Sequence, residues 1–194
     1  MKTIYIFLFL PFSLLAQVSF DVTYKQVTEG QKFYQGKFAT VASSVVVEKA
    51  GTAAELYSAT INWINEAYKS PEDVIKGNIE NKYVKINGST SNLFLVSVLG
   101  SKNYFDARYT IEFRFKDNRF KVDIINLEQY TPPSQYVTGG WSDYPMTFKV
   151  ENRKGKPYND GVANLDAVTA YFNNLITSVK DYSVTTVGGD DFDF

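Results

Sequence analysis

Histidine and cysteine are both absent from this 194-residue chain. Their absence excludes whole classes of chemistry: a Ser-His-Asp or Cys-His nucleophile, a histidine- or thiolate-ligated zinc site, and thiol redox work. It also excludes disulfides and the cysteine that a lipid anchor needs, so stability must come from packing alone. An excess of one charge is lacking too, with 20 basic and 21 acidic residues. A nucleic-acid partner needs a concentrated basic patch to displace counterions, and the sequence offers none. Gly139-Gly140 and Gly188-Gly189 stand outside any phosphate-loop pattern, so nucleotide binding is not supported. No repeat recurs at a solenoid or propeller period.

Carboxylate and lysine chemistry survive these exclusions. The acid pairs to consider are Glu112 with Asp123, Glu72-Asp73 and Asp190-Asp191. Glycosidase-like hydrolysis needs two carboxylates held across a cleft. Glu112 and Asp123 instead fall beside Arg114 and Lys121, the pattern of a surface ion-pair lattice. Asp190, Asp191 and Asp193 lack the spaced ligand loop of a calcium site. No catalytic, metal or cofactor-binding residue is therefore assigned, and no cofactor is expected.

What the chain does contain begins with MKTIYIFLFLPFSLLAQ over 1–17, a basic start at Lys2, an apolar run from Ile4 to Leu15 and a small residue at Ala16. This reads as a secretory signal peptide cut near Ala16 or Gln17. The apolar run is shorter than the roughly 20 residues that span a bilayer. Its removal takes away only Lys2, which leaves the exported chain mildly acidic, with no transmembrane segment expected. A periplasmic or extracellular location without lipid anchoring follows from this reading. One domain is expected, since domains run to about 100–200 residues. The divisions are a lead-in over 18–42 with room for an edge strand, a single α+β domain over 43–183, and an acidic, disordered tail over 184–194.

The clearest structural statement is YFDARYTIEFRFKDNRFKVDIINL, Tyr104 to Leu127. Successive strand side chains point to opposite faces, and a two-residue turn at Asp117-Asn118 fixes which residues meet. Lys116 then faces Arg119, Phe115 faces Phe120, Phe113 faces Val122 and Ile111 faces Ile124. The apolar set forms a core face. The other face carries Glu112, Arg114, Lys121 and Asp123, a checkerboard that suits water. A slip of one residue would expose the whole apolar set, so the register is strongly specified.

Around this hairpin the other elements fall into place. Ser43 to Glu48 reads as a short buried strand. Thr52 to Tyr68 reads as a helix with Leu56, Thr60, Trp63, Ile64 and Ala67 on one face, widened by Tyr57, Ile61 and Tyr68. Thr52 and Glu55 form a capping-box pattern, and Ser70-Pro71 stops the helix. Val74 to Glu80 and Lys82 to Asn87 read as a second hairpin, with a break at Gly88 to Ser91 before the apolar Asn92 to Leu99. Glu128 to Tyr158, with Pro132-Pro133 and Gly139-Gly140-Trp141, reads as a long excursion. Asp160 to Tyr182 is a second amphipathic helix, striped by Leu165, Val168, Phe172, Leu175, Ile176, Val179 and Tyr182, with Asp160 as its N-cap and Asn164 as the other start for its regular part.

The segments VVVEK (45–49), ELYSATINWINEAY (55–68), PEDVIKGNIENKYVKINGS (71–89) and YTIEFRFKDNRFKVDIINLE (109–128) together resemble a family of unknown function described as having a TBP-like fold, found in secreted proteins of Gram-negative bacteria. The residues that carry the resemblance are Leu56-Tyr57, Trp63, Val74-Ile75, Gly88 and Lys116-Asp117 with Arg119. It covers roughly 43–128, with the C-terminal helix as a looser match and the 128–158 excursion as a departure. The resemblance implies a curved antiparallel sheet with two helices packed on one face, and carries no activity and no catalytic residues.

The 16% aromatic content is high and suits a sheet or a binding surface. Trp63 belongs to the helix core. Trp141, with Tyr136 and Tyr144 nearby, either stacks on a ligand or pins the long loop to the domain. Arg114 and Lys121 on the outer hairpin face complete the candidate contacts. Arg153, Lys154 and Lys156 form a small basic run that suits water or an acidic surface. Three readings follow: an exported binding module for an envelope protein or a glycan, a carboxylate-dependent hydrolase, or a structural envelope protein without a small ligand.

Overall fold

The computed structural model describes residues 18–135 and 137–182. The leader expected over 1–17 and the tail expected over 184–194, with Asp190, Asp191 and Asp193, lie outside the described residues, as does Tyr136. At the centre stands the expected hairpin, formed by β6 (Ser101–Lys116) and β7 (Arg119–Thr131). Its register is Lys116 to Arg119, Phe115 to Phe120, Phe113 to Val122 and Ile111 to Ile124, as the alternation requires. Ile111, Phe113, Phe115, Phe120, Val122 and Ile124 are all buried. The turn is built into the fold rather than hanging free. Asn118 adopts the left-handed region at φ 63°, and Asp117 Oδ1 accepts the Ala53 backbone N–H at 2.9 Å. A carboxylate at that helix start also meets the positive end of the helix dipole.

That helix is α1 (Ala53–Ala67). Thr52 caps it through a complete capping box, with Glu55 N donating to Thr52 Oγ1 at 3.2 Å and Thr52 N donating to Glu55 Oε2 at 2.7 Å. Leu56, Ala59, Thr60, Trp63 and Ile64 face the core, and Ala67 is exposed in the last turn. After Ser70 a single turn, α2 (Pro71–Val74), leads into β4 (Ile75–Ile79). The next strand, β5 (Tyr83–Val98), runs through the expected break at Gly88 to Ser91. The irregularity is taken up by a bulge between Thr90 and Phe94, with Asn92 at φ 59°. A bulge adds residues and bends a strand without ending it. A second bulge lies at Thr110/Ile111 on β6.

The large sheet has the order β3-β7-β6-β5-β4, where β3 is Ser44–Glu48, and all its pairings are antiparallel. Read as buried, β3 is instead an edge strand: Val47 enters the core and Val46 is 53% exposed. Successive side chains of β3 alternate between the core and the uncovered outer face of the sheet, which composition alone does not reveal.

A second, three-stranded sheet has the order β1-β2-β9, from β1 (Val22–Val27), β2 (Gly36–Val41) and β9 (Thr147–Asn152). The excursion from Glu128 to Tyr158 is thus not a bare loop. It holds β8 (Gly140–Asp143), paired to β7, and β9, which sends the chain back to the segment over 18–42. The last helix, α3 (Asn159–Asp181), packs against β5 of the large sheet and β9 and β2 of the small one. Leu165, Val168, Phe172, Leu175, Ile176 and Val179 are buried as expected, and α1 and α3 share one core cluster with the apolar hairpin face. The architecture is α+β, antiparallel, with α1 and α3 on the core side of the large sheet.

Asp160 does not cap α3; the N-cap is Tyr158, with no side-chain cap bond. Asp160 Oδ2 instead accepts Ser97 N at 2.7 Å, and Asn164 accepts Leu95 N at 2.6 Å and donates to Leu95 O at 3.0 Å. Four helical residues rise about 6 Å and two strand residues about 6.6 Å, so side chains at i and i+4 match alternate backbone groups of a strand. The helix thereby completes the open edge of β5. Close approach elsewhere depends on Gly161, where a Cβ would stand 1.7 Å from Lys149 O on β9.

Candidate functional site

The strand β4 accompanies β5 only as far as Ile86, so Asn87 to Ser89 lies at a free sheet edge. Next to that edge opens a cleft of about 640 Å³, lined among others by Tyr68, Gly88, Arg108, Tyr109, Asn126 and Trp141. Two constructions shape it, one of tyrosines and one around the indole.

The tyrosines form a chain of hydroxyls. Tyr68 OH lies 3.1 Å from Tyr109 OH, which lies 2.8 Å from Tyr171 OH. Tyr68 closes the end of α1, Tyr109 sits on the core face of β6 and is 2% exposed, and Tyr171 comes from α3. Tyr109 is seated by Gly88 directly across the strand pair: a Cβ on Gly88 would stand 2.4 Å from the phenol ring. Phe172 meets the same ring edge-on at 5.5 Å between centroids. Burial raises the pKa of all three phenols above the ordinary tyrosine value, most strongly at Tyr109. They keep their protons near neutrality, and so offer hydrogen bonds rather than a base.

On the outer face, Arg108 forks onto Glu128, Nε to Oε2 at 2.6 Å and Nη2 to Oε1 at 2.7 Å. Both partners sit opposite one another in the β6–β7 ladder. The hydrogen bonds from Arg108 hold the Glu128 carboxyl below the usual carboxylate range. The guanidinium lies over the Trp141 ring, 4.7 Å from Cζ to centroid, and Tyr130, across the ladder from Trp141, is 5.2 Å away. Trp141 is thus fixed by an Arg–Glu fork and a tyrosine, yet 38% of it stays exposed at the cleft. It pins β8 to the domain and lines the cleft at once. By contrast Trp63 is a core residue, 8% exposed and edge-on to Tyr68 at 5.8 Å.

The other expected contacts lie apart. Tyr144 turns inward, stacks on Phe94 at 4.0 Å and accepts from Asn164 Nδ2 at 3.4 Å, beside a separate hollow with Pro145 and Met146. Arg114 and Lys121 belong to the lattice further along the hairpin. Arg114 donates to Asp123 at 3.0 Å and to Glu112 at 2.6 Å, Lys121 reaches Asp123 at 2.7 Å, and Tyr83 OH donates to Glu112 at 2.8 Å. Glu112 and Asp123, expected on an open face, are only 9% and 8% exposed because these longer side chains fold over them. Burial pushes the Asp123 carboxyl up, but hydrogen bonds from Lys121 and Ser44 and the charges of Lys121 and Arg114 outweigh it, leaving it below its ordinary value. Two carboxylates so saturated face no open cleft between them. Among the described residues no group of three or more acidic side chains is placed to hold a metal ion. Nor is any helix among them long and apolar enough to cross a membrane.

No family model matches the chain, and no curated protein matches it in sequence. Among solved structures, a DUF4468 family protein from Bacteroides ovatus superposes with a TM-score of 0.51 at 15% identity, covering 72% of this chain and 84% of its own. A TBP-like protein from Parabacteroides distasonis gives 0.45 at 12% identity, over 72% and 92%. At that identity the likeness concerns fold alone. In fold, the chain is similar to a protein from a family of unknown function, as the sequence resemblance implies.

Proposed function

We propose that this chain is an exported, non-enzymatic binding module of the cell envelope that takes a glycan into the cleft beside Trp141. The observation that carries the reading is the indole itself. It is part-exposed and held rigid by Arg108 and Tyr130 beside a wall of amides and hydroxyls from Asn87, Ser89, Thr110 and Asn126. An aromatic face suits the C–H side of a sugar ring, and the surrounding polar groups suit its hydroxyls. A preformed site of this kind binds without first ordering its own side chains. The leader over 1–17 supports the envelope location.

Tryptophan fluorescence gives a direct test, because Trp63 is enclosed and Trp141 is not. Titration with neutral and acidic oligosaccharides from cell-wall digests is expected to change the Trp141 emission. Calorimetry on Trp141→Ala should then show binding weakened at least about tenfold, the scale of one lost hot-spot aromatic. Undiminished binding by the variant would remove the cleft from consideration. A protein recovered on pull-down, with no saccharide response, would favour an envelope protein as the partner instead.

A further inference from the structure

About 20 Å along β6 from Arg108, six residues at the strand rise, the outer face changes character. Here a hollow of about 340 Å³ is lined by Val46, Arg114, Phe115, Lys116, Arg119 and Lys121. Register places these four cations in two adjacent cross-strand pairs, Arg114 opposite Lys121 and Lys116 opposite Arg119. Like charges directly opposite one another oppose pairing, so two such pairs in succession work against the hairpin that displays them. The inner pair is offset by Glu112 and Asp123 behind it. The outer pair is not: among the described residues neither Lys116 nor Arg119 makes an ion pair. Glu48 stands across from Arg119 in register without reaching it, and Asp117 is turned away to the start of α1.

We infer that this hollow is an oxyanion site, with Lys116 and Arg119 as the primary contacts and phosphate as the ligand group. A guanidinium beside an ammonium matches a tetrahedral, multiply charged oxyanion. Arg114 and Lys121 retain side-chain exposure of 52% and 43%, which leaves them able to share in the contact. Val46, half exposed, supplies an apolar wall for whatever carries the phosphate. The site stands independently of the glycan reading, since it shares no lining residue with the Trp141 cleft.

Calorimetry and amide NMR with pyrophosphate and glycerol phosphate, and co-sedimentation with phosphatidylcholine vesicles with and without phosphatidylglycerol, separate a soluble phosphate from a lipid headgroup. The paired variant K116E/R119E reverses the outer cations. R153E/K154E, on the exposed turn after β9, changes the net charge equally at a distance. The expected result is shifts centred on 114–121 and at least a tenfold loss in K116E/R119E alone. Response to soluble probes identifies free phosphate, and response to acidic vesicles alone identifies a headgroup. No binding by either probe, or an equal loss in both variants, overturns the assignment. Both substituted pairs are exposed, and circular dichroism checks that the fold persists.

Discussion

Gly88→Ala tests how the cleft is built. Gly88 lies outside the left-handed region, so what it supplies is space, not backbone freedom. An added methyl would meet Tyr109 Cζ and its hydroxyl at 2.4 Å. The ring cannot simply turn aside, because Tyr68 and Tyr171 hold its hydroxyl from two sides and Phe172 packs on its flank. Overpacking costs about 1–3 kcal/mol and each lost hydroxyl bond about 1 kcal/mol, against about 0.5 kcal/mol regained from the stiffer unfolded chain. The net is about 3 kcal/mol, or a fall in Tm of roughly 6–12 °C for a domain of this size. Gly77→Ala is the control, since its methyl would meet nothing nearer than 3.5 Å. It should leave Tm unchanged or slightly raised. In a Tyr109→Leu background the added methyl meets no phenol, and Gly88→Ala should cost under about 1 kcal/mol, a strong departure from additivity. Calorimetric melts of the wild type and these four variants decide the matter. Equal losses at Gly88 and Gly77, or additive losses with Tyr109→Leu, would refute the claim that this glycine seats the tyrosine.

Asn164→Ala strips the β5 edge of its partner at both Leu95 N and Leu95 O and should cost about 2–4 kcal/mol, read by urea denaturation, with faster exchange of the Leu95 amide. Gly161→Ala drives a methyl into Lys149 O, a backbone atom that no rotamer change can move, so it should cost at least as much as Gly88→Ala and separate α3 from β9. Tyr68, Tyr109 and Tyr171 have raised folded-state pKa values, so their stabilisation is whole below the unfolded value near 10 and is lost as pH rises above it. Melts between pH 9 and 12 should therefore fall steeply above about pH 10, by up to about 1.4 kcal/mol per pH unit for each phenol, and Tyr109→Phe should flatten the slope. Glu128 has a depressed pKa, so the Arg108 fork is whole above the unfolded value near 4.3 and loosens as pH falls below it, which Trp141 fluorescence should report.

The parts of this fold legible from sequence are those whose signal is local and periodic. The β6–β7 register from Lys116/Arg119 to Ile111/Ile124 follows from alternation, because a slip of one residue would expose Ile111 and Phe113, whereas beyond it the bulge at Thr110/Ile111 shifts the pairing. Thr52 and Glu55 announce α1 because both capping partners lie within four positions. The small sheet is hidden for the opposite reason. β2 takes its partner from β9, more than a hundred residues on, and buries only Gly36, Ala39 and Val41, while β1 is largely exposed, so neither announces itself by a strong apolar stripe. Asp160 shows how a sound local rule loses to a distant partner. An acidic residue at a helix start is ordinarily a cap, but the open edge of β5 offers Ser97 N and Oγ, and the carboxylate goes there.

The cleft is the extreme case, since Tyr68, Tyr109 and Tyr171 come from three elements and meet only once the sheet and both helices are assembled. The one trace of it in the sequence is indirect. Gly88 interrupts an otherwise continuous strand, and a glycine inside a strand marks a bulge, a bend or a close approach. Read locally, it marks a break, because its partner strand lies about twenty residues on. With the register in hand, the residue opposite is Tyr109, and the missing side chain becomes the space that a buried phenol occupies. The same register places Arg108 opposite Glu128, and the next pairing places Tyr130 opposite Trp141, so one ladder sets both walls of the cleft. A shift of that ladder by one residue would take apart the tyrosine chain and the indole support together. The hairpin's register is therefore a condition of the site as much as of the core.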